Sequence, residues 1–347
     1  MALALVLGAT GHIGAHVVRA LLAEGHAVRA AYRTDRYLDV LDGLAVERLR
    51  LDLEVPGQLR EAASGCDWVF HAAGTYPRAP EPPGAAVERS IATLRRVFEE
   101  LGRANCSRIV FTSSAAAIRR PPNRLATEAD AEPWSPHLPS SRRDESISPS
   151  AKRQVGGRPL YALVKTAMEH EALRAFRNGL PIVIVNPSVC IGEYDAHRFS
   201  GQAVLVFAKR RMPFYIDHTM NVVYTGDVGI AQVRAAERGR FGERYLLAGR
   251  NIALKDFAAI VARAAGTRPP RWRLPYPIAL SAAAASEFAG WVTRTPPLLP
   301  RSAVHSTSRQ GPGLDPSKAR NELGLPQTPI EDAVARAVAW FRSHDAI

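Results

Sequence analysis

Cysteine is scarce in this chain of 347 residues: Cys66, Cys106 and Cys190 are far apart and odd in number. They form no C-x-x-C pair and no zinc spacing, which excludes a disulfide-stapled scaffold and points to a reduced, cytoplasmic setting. Long apolar runs are missing too. The longest near the C-terminus, PIALSAAAASEFAGWV (277–292), carries Glu287 and falls short of a membrane span, so no membrane association is expected. The opening MALALVLGATG has no basic stretch ahead of its apolar residues and runs straight into glycines. It reads as a buried strand and not as a signal peptide. Lysine is the scarcest charged residue, with five among 45 basic residues, at 152, 165, 209, 255 and 318.

The net charge of +12 invites a nucleic-acid reading. The arginines are scattered, however, in short doublets such as Arg95 and Arg96 or Arg142 and Arg143. No basic stripe with interleaved aromatics is present, so no nucleic-acid partner is expected. A solvated, arginine-biased surface accounts for the charge, and its field helps to collect an anionic cofactor or substrate.

What the chain does have is alternation. The apolar runs LALVL (3–7), HAVRAAYR (26–33), VERLRLDL (46–53), DWVFHAAG (67–74), SRIVFTSSA (107–115) and LPIVIVNPS (180–188) read as six strands. Amphipathic helices separate them, beginning with HIGAHVVRALLAEG (12–25) and VERSIATLRRVFEELGRA (87–104). Near-continuous apolar strands alternating with helices predict an α/β fold with a doubly wound parallel sheet of the Rossmann type. Its ligand lies beyond the carboxyl ends of the strands. Residues 1–188 and 221–249 form the expected dinucleotide-binding domain, with a late helix over 221–239 and a strand over 243–249. Residues 189–220 and 250–347 form a smaller substrate-binding domain. The segment 119–159, rich in Pro, Ser and Arg, interrupts the rhythm as a long loop or lid.

Between the first strand and helix lies GATGHIG, with Gly8, Gly11 and Gly14. Such glycines allow a tight turn and close backbone approach, so the loop from Gly8 through Thr10, His12 and Ile13 to Gly14 faces a pyrophosphate. The residue that selects the dinucleotide falls about twenty positions further on, where an acid suits NAD and an arginine a 2′-phosphate. Arg33 stands there with Arg36 close behind, so NADP(H) is favoured over NAD(H), although Asp35 argues the other way. Asp52 and Leu53, at the end of the third strand, are placed for the adenine. His12 and His16 share a helix face without a third ligand, so no metal is expected, and His71 reads as a packed core residue.

The scarce lysine has a use at YALVK (161–165), where Tyr161 and Lys165 share a helix face. With nine tyrosines and five lysines, such a pair arises by chance about one time in eight. Context raises its weight: the preceding strand ends in Thr112, Ser113 and Ser114. A phenol titrates near pH 10 and is a poor base at neutrality, but a neighbouring cation favours the phenolate. Lysine is a compact charge with three rotatable donors, able to serve phenol and ribose together, where arginine's rigid fork is not equivalent.

With GATGHIG, Asp52-Leu53, VFHAAG (69–74), VFTSSAA (110–116), YALVK and VNPSVCIG (185–192) in this order, the chain resembles the extended short-chain dehydrogenase/reductases. The stretch DPSKARNELGLPQTPIEDAVARAVAWF (315–341) extends the resemblance, which is to the dihydroflavonol reductase-like and hydroxysteroid dehydrogenase-like branch. The resemblance implies that Tyr161 is the general acid/base. It makes Lys165 the residue that binds the nicotinamide ribose and lowers the phenol pKa. Ser114 would hydrogen-bond the substrate oxygen, with Ser113 as the fallback. Ala72, Ala73 and Gly74 would pass under the cofactor, and Pro187, Ser188 and Val189 would hold its carboxamide. Tyr76, Ser114 and Asn186 are the expected substrate contacts. One departure stands out: a helix-borne asparagine usual in the family is here Ser90.

The expected activity is NADP(H)-dependent reduction of a ketone or aldehyde to an alcohol, reversibly. A nucleotide-sugar epimerase on the same scaffold is the alternative, and a catalytically silent NADP(H) sensor the second. The intact Ser114, Tyr161 and Lys165 argue against the sensor, and TSSAAA lacks the acidic pair of a dehydratase. The partner is a small carbonyl or alcohol compound, and a homodimer is compatible with these features.

Overall fold

The computed structural model describes residues 1–74, 82–133, 154–155, 158–209, 213–293, 301, 304 and 311–347. Tyr76 and most of the 119–159 segment therefore lie outside the described residues. Seven parallel strands form the central sheet: β1 (Leu3–Leu7), β2 (Ala27–Tyr32), β3 (Glu47–Arg50), β4 (Trp68–His71), β5 (Arg108–Thr112), β8 (Ile182–Pro187) and β12 (Arg244–Leu247). Between β5 and β8, the short strands β6 (Gln154–Val155) and β7 (Arg158–Pro159) pair antiparallel. Across the sheet the order is β12-β8-β5-β4-β1-β2-β3. The chain winds one way from β1 through β2 to β3, then crosses back to β4, so the order reverses between β1 and β4. A crevice opens at such a reversal, beyond the carboxyl ends of the strands.

The strands read as continuous apolar runs because both faces are covered. Leu5 and Leu7 point into one core, with α2 (Gln58–Ala63), α3 (Pro83–Ala104) and α4 (Leu160–Arg177) packed over it. Ala4 and Val6 point into the other, under α1 (His12–Ala23) and α6 (Thr225–Arg238). Full burial of each such leucine or valine stabilises the fold by about 1.5–3 kcal/mol.

A third core lies beyond the sheet. It gathers α5 (Gln202–Ala208), α7 (Leu254–Ala265) and α9 (Ile330–Ser343) against a three-stranded sheet of β9 (Val189–Ile191), β11 (Thr219–Tyr224) and β13 (Arg250–Ala253). The late helix expected over 221–239 begins only at Thr225, because Asn221 to Tyr224 belong to β11, which the β-branched and apolar residues of TMNVVY favour. β9 continues directly from β8 and pairs with β11, so the chain leaves the central sheet at Ser188. A parallel pair of β10 (Phe214–Tyr215) and β14 (Trp272–Arg273), with the helix α8 (Tyr276–Thr293), completes the described strands and α-helices. Among the described residues no helix is long and apolar enough to cross a membrane.

Candidate active site

The glycine loop is shaped by contacts that admit no side chain. Gly8 has φ +80°, and a Cβ there would sit 2.8 Å from the Ala73 Cα. A Cβ on Gly14 would lie 2.1 Å from the Gly8 carbonyl oxygen. The two glycines thus let β1, β4 and the start of α1 close on one another. Gly11 caps α1 without any side-chain bond, so the first N–H groups of the helix remain directed at the crevice.

From this loop a cavity of about 1210 Å³ runs along the strand ends. It exceeds the range of about 300–1,000 Å³ that holds a drug-sized ligand, leaving room for a dinucleotide and a substrate together. Its wall includes Gly8, Thr10, Gly11, His12, Ile13, Arg33, Asp52, Leu53, Ala72, Ala73 and Gly74. Further along come Ser114, Tyr161, Lys165, Pro187, Ser188 and Val189. Among the described residues the buried Ser188 hydroxyl has no partner, an orphaned group on the wall that fits a cofactor amide.

Some expected residues lie elsewhere. Gly14 is behind the loop, spent on packing against Gly8. Arg36 is not on the cavity wall; its guanidinium lies 4.8 Å from the Tyr37 ring centroid. Asn186, expected to touch substrate, is fully buried and absent from the wall. Its amide donates to the Ser114 carbonyl at 3.1 Å and to Glu169 Oε2 at 2.6 Å, so it braces the serine from behind.

At the catalytic end Tyr161 and Ser114 share the cavity wall, and the Ser114 side chain acts on the phenol. Ser113, the fallback, donates its hydroxyl to Glu169 at 2.6 Å and is buried, which leaves Ser114 as the serine beside the phenol. Lys165 is buried, with Nζ 3.3 Å from the Thr112 carbonyl oxygen and 6.0 Å from the Tyr161 ring centroid. Burial draws the Lys165 pKa down to about 8, against the opposing pull of Glu169. The expected lowering of the phenol pKa is not found. Burial pushes Tyr161 upward, the neighbouring Ser114 side chain only partly offsets this, and Lys165 is not among the causes. The phenol therefore holds its proton through neutral pH, as a general acid requires. Ser90, at the family's asparagine position, donates its hydroxyl to the Ala86 carbonyl at 2.7 Å and serves its own helix.

A carboxylate the sequence reading passed over organises this end. Glu169, one helical turn beyond Lys165, is buried and accepts from Ser113, Asn186 and Arg244. The spacing of four from Tyr161 to Lys165 to Glu169 is its signal, since i and i+4 residues share a face.

The segment 193–200 lines the cavity from the opposite side through Asp195, His197, Phe199 and Ser200. His12 is held by Thr225 Oγ1 at 2.8 Å and Ser200 Oγ at 3.4 Å, and His16 by the Glu193 carbonyl at 3.2 Å. Burial drives both imidazoles down to about 3, so they are neutral structural residues. His197 meets the Tyr37 ring edge-on at 4.9 Å, and Phe199 reaches the Tyr161 ring at 6.0 Å. This one segment therefore touches both ends of the cavity. Cys190, also on the wall, is pushed by burial up to about 12 and is no nucleophile at neutral pH. His71 is buried against Phe111, as a packed core residue should be.

Arg33 is exposed just past β2, at the end of the cavity away from Tyr161. Asp35, the acid that argued for NAD, is not on the wall and lies 3.5 Å from Arg50 Nη1. Asp52 falls just beyond the end of β3, and its carboxylate accepts from the Glu54 N–H at 2.9 Å.

A family model described as the NAD dependent epimerase/dehydratase family matches residues 4–248. The chain is 33% identical over 344 residues to a Synechocystis protein provisionally named dihydroflavonol 4-reductase, covering 98% of this chain and 94% of that one. It is 32% identical over 348 residues to sterol demethylase protein B of Methylococcus capsulatus, covering 99% of each. The crystal structure of gox2253 superposes with a TM-score of 0.80 at 30% identity, over 100% of both chains.

Proposed function

The chain belongs to the NAD dependent epimerase/dehydratase family, and on that premise we propose that it reduces a ketone or aldehyde to an alcohol with NADP(H). It is an NAD(P)-dependent oxidoreductase; its direction, cofactor preference and site residues are the substance of the proposal. The observation that carries the reading is that Ser114, Tyr161 and buried Lys165 share the wall of a cavity that starts at the glycine loop, with Lys165 Nζ 6.0 Å from the Tyr161 ring centroid. The name of the Synechocystis relative supports the reductive direction. Exposed Arg33 on the cavity wall, with Asp35 diverted to Arg50, supports NADP(H).

In this reading the α1 N-terminus and the glycine loop hold the pyrophosphate, Arg33 the 2′-phosphate, and Asp52 and Leu53 the adenine side. Ala72 to Gly74 and Pro187 to Val189 hold the nicotinamide end, with Lys165 on its ribose. The bound cofactor supplies a hydride to the carbonyl carbon. Ser114 donates a hydrogen bond to the substrate oxygen, and Tyr161 gives that oxygen its proton as charge develops there. Lys165 is a cation behind the phenol, which favours the phenolate left after transfer.

The test is a panel of carbonyl compounds with NADPH and NADH in parallel, followed at the reduced-cofactor absorbance. Net oxidation of NADPH with formation of alcohol is the expected result. A product that isomerises without net cofactor oxidation would instead favour the epimerase. Preference for NADH would remove the Arg33 assignment and leave the reductase reading in place.

A further inference from the structure

The arginines that follow Ser114 in the chain are unequal. Arg119 lies 3.7 Å from Glu132, and Arg124 pairs with Asp130 at 2.6 Å. Arg120 stands between them in the chain, half-buried, on the wall of the same cavity as Ser114 and Tyr161. Among the described residues no carboxylate, carbonyl oxygen or aromatic ring pairs with its guanidinium. The titratable group that senses it is His218, whose pKa falls through burial and, in lesser part, the Arg120 charge. That histidine leads into β11, whose Met220 also lines the cavity. A half-buried guanidinium without a counter-ion is costly, and its own pKa is drawn down by burial. A cation so placed in a cleft is a candidate for pairing with an anionic ligand that supplies the missing charge.

The acids of the wall do not supply it. Among the described lining residues the carboxylates are Asp52, Glu54 and Asp195. Asp52 and Glu54 stand at the adenosine end. Asp195 accepts from the backbone N–H groups of Phe199 and Gly201 at 3.2 and 2.6 Å. Arg120 reaches the wall by a different route, through the 3-10 turn Ala115–Ala117 and the bridge of Ile118 to Ala131. Its position is thereby tied to the backbone that carries Ser114. A guanidinium presents two parallel N–H donors that match a carboxylate or a phosphate.

We infer that Arg120 is the anion-binding residue of the substrate site, and that the carbonyl substrate carries a carboxylate or a phosphate. The carbonyl half of this statement rests on the reductase reading; the anion half rests on Arg120 alone. Arg120 orients the substrate and takes no part in proton or hydride transfer.

The test uses matched aromatic and aliphatic ketones, each as free carboxylate, phosphate ester and methyl ester; 4-acetylbenzoate, 4-acetylphenyl phosphate and methyl 4-acetylbenzoate form one such set. Binding to NADP-loaded enzyme is measured by calorimetry and turnover is measured with NADPH. Wild type should bind the anionic members about 10- to 100-fold more tightly than their esters, the range for a charge-assisted hydrogen bond. Arg120→Gln should erase that preference, with a larger change in KM for the anionic members than in kcat, and Arg120→Lys should restore part of it. The tighter of the carboxylate and phosphate arms identifies the source of the anion. Equal binding of anion and ester by wild type, binding of no anion, or a preference that survives in Arg120→Gln would each overturn the inference. Anion-dependent binding without hydride transfer would uphold Arg120 and overturn the reductase reading. Because Arg120 makes no hydrogen bond within the described protein, the variants should melt with the wild type; if one does not fold, the wild-type comparison of acid and ester still decides.

Discussion

Behind the catalytic wall, Ser113, Asn186 and Arg244 converge on one buried carboxylate, Glu169, whereas at the adenosine end Arg33 and Arg36 stand exposed beyond a strand end. The first arrangement is expensive to disturb, because each partner left behind would be a buried polar group without a bond. The second is cheap to alter, since an exposed guanidinium carries little of the fold's stability. Proton transfer demands a phenol and hydroxyl fixed to within a fraction of an ångström, and the buried network supplies that rigidity. Cofactor choice demands only a charge within reach of a phosphate. The catalytic end should therefore respond to substitution in turnover and stability together, and the adenosine end in cofactor KM alone.

The largest effect is expected at Tyr161. Tyr161→Phe should lower kcat by about 10²- to 10⁴-fold, the contribution typical of a positioned general acid, with NADPH affinity nearly unchanged by fluorescence titration. Glu169→Ala should come next. It strands Arg244, Ser113 and Asn186, and denaturant unfolding should report a loss of about 3–5 kcal/mol, as for a broken buried ion pair. If Glu169→Ala unfolds at the wild-type midpoint, the buried network is not what holds the catalytic end. Arg33→Ala should raise KM for NADPH by about 10- to 100-fold, the cost of a charge-assisted bond to phosphate, and leave KM for NADH and the melting temperature alone. Equal losses with both cofactors would place Arg33 on a group they share.

The smallest effect is one of pH. Lys165, lowered by burial to about 8, loses its charge as pH rises through that value, while Tyr161, pushed upward, still keeps its proton. The value of kcat/KM, which reports the free enzyme, should therefore fall above about pH 8. Glu169 opposes the fall in the lysine pKa, so Glu169→Gln should move this limb to lower pH. A limb that stays in place in Glu169→Gln would detach it from Lys165.

The two ends also differ in how well they could be read from the sequence. The six strands of the first half, the glycine loop and the Tyr161–Lys165 pair rest on periodicity and spacing, and the structure has them where those patterns put them; the order of the strands across the sheet comes from the structure. Glu169 is legible in principle, on the same helix face, but a carboxylate on a helix is ordinarily solvated, so its position alone does not mark it as buried. Asn186 was misread because a strand covered on both faces has no polar side to mark which residues face the ligand. The upward shift of Tyr161 depends on burial, which a one-dimensional pattern of charges does not contain. Arg120, His197 and Phe199 come from irregular segments, where neither a period of two nor of 3.6 applies; only three-dimensional closure brings them to the wall.

The central claim is that Tyr161 protonates a carbonyl oxygen while the cofactor's hydride stays on the product. Incubation with NADPH deuterated at the transferring position of C4 and a ketone accepted in the carbonyl screen, followed by mass spectrometry of the product, tests it directly. The account predicts one deuterium on the carbinol carbon, equimolar NADP formed, and loss of both in Tyr161→Phe with cofactor still bound. Product lacking deuterium, or undiminished transfer in Tyr161→Phe, would contradict it.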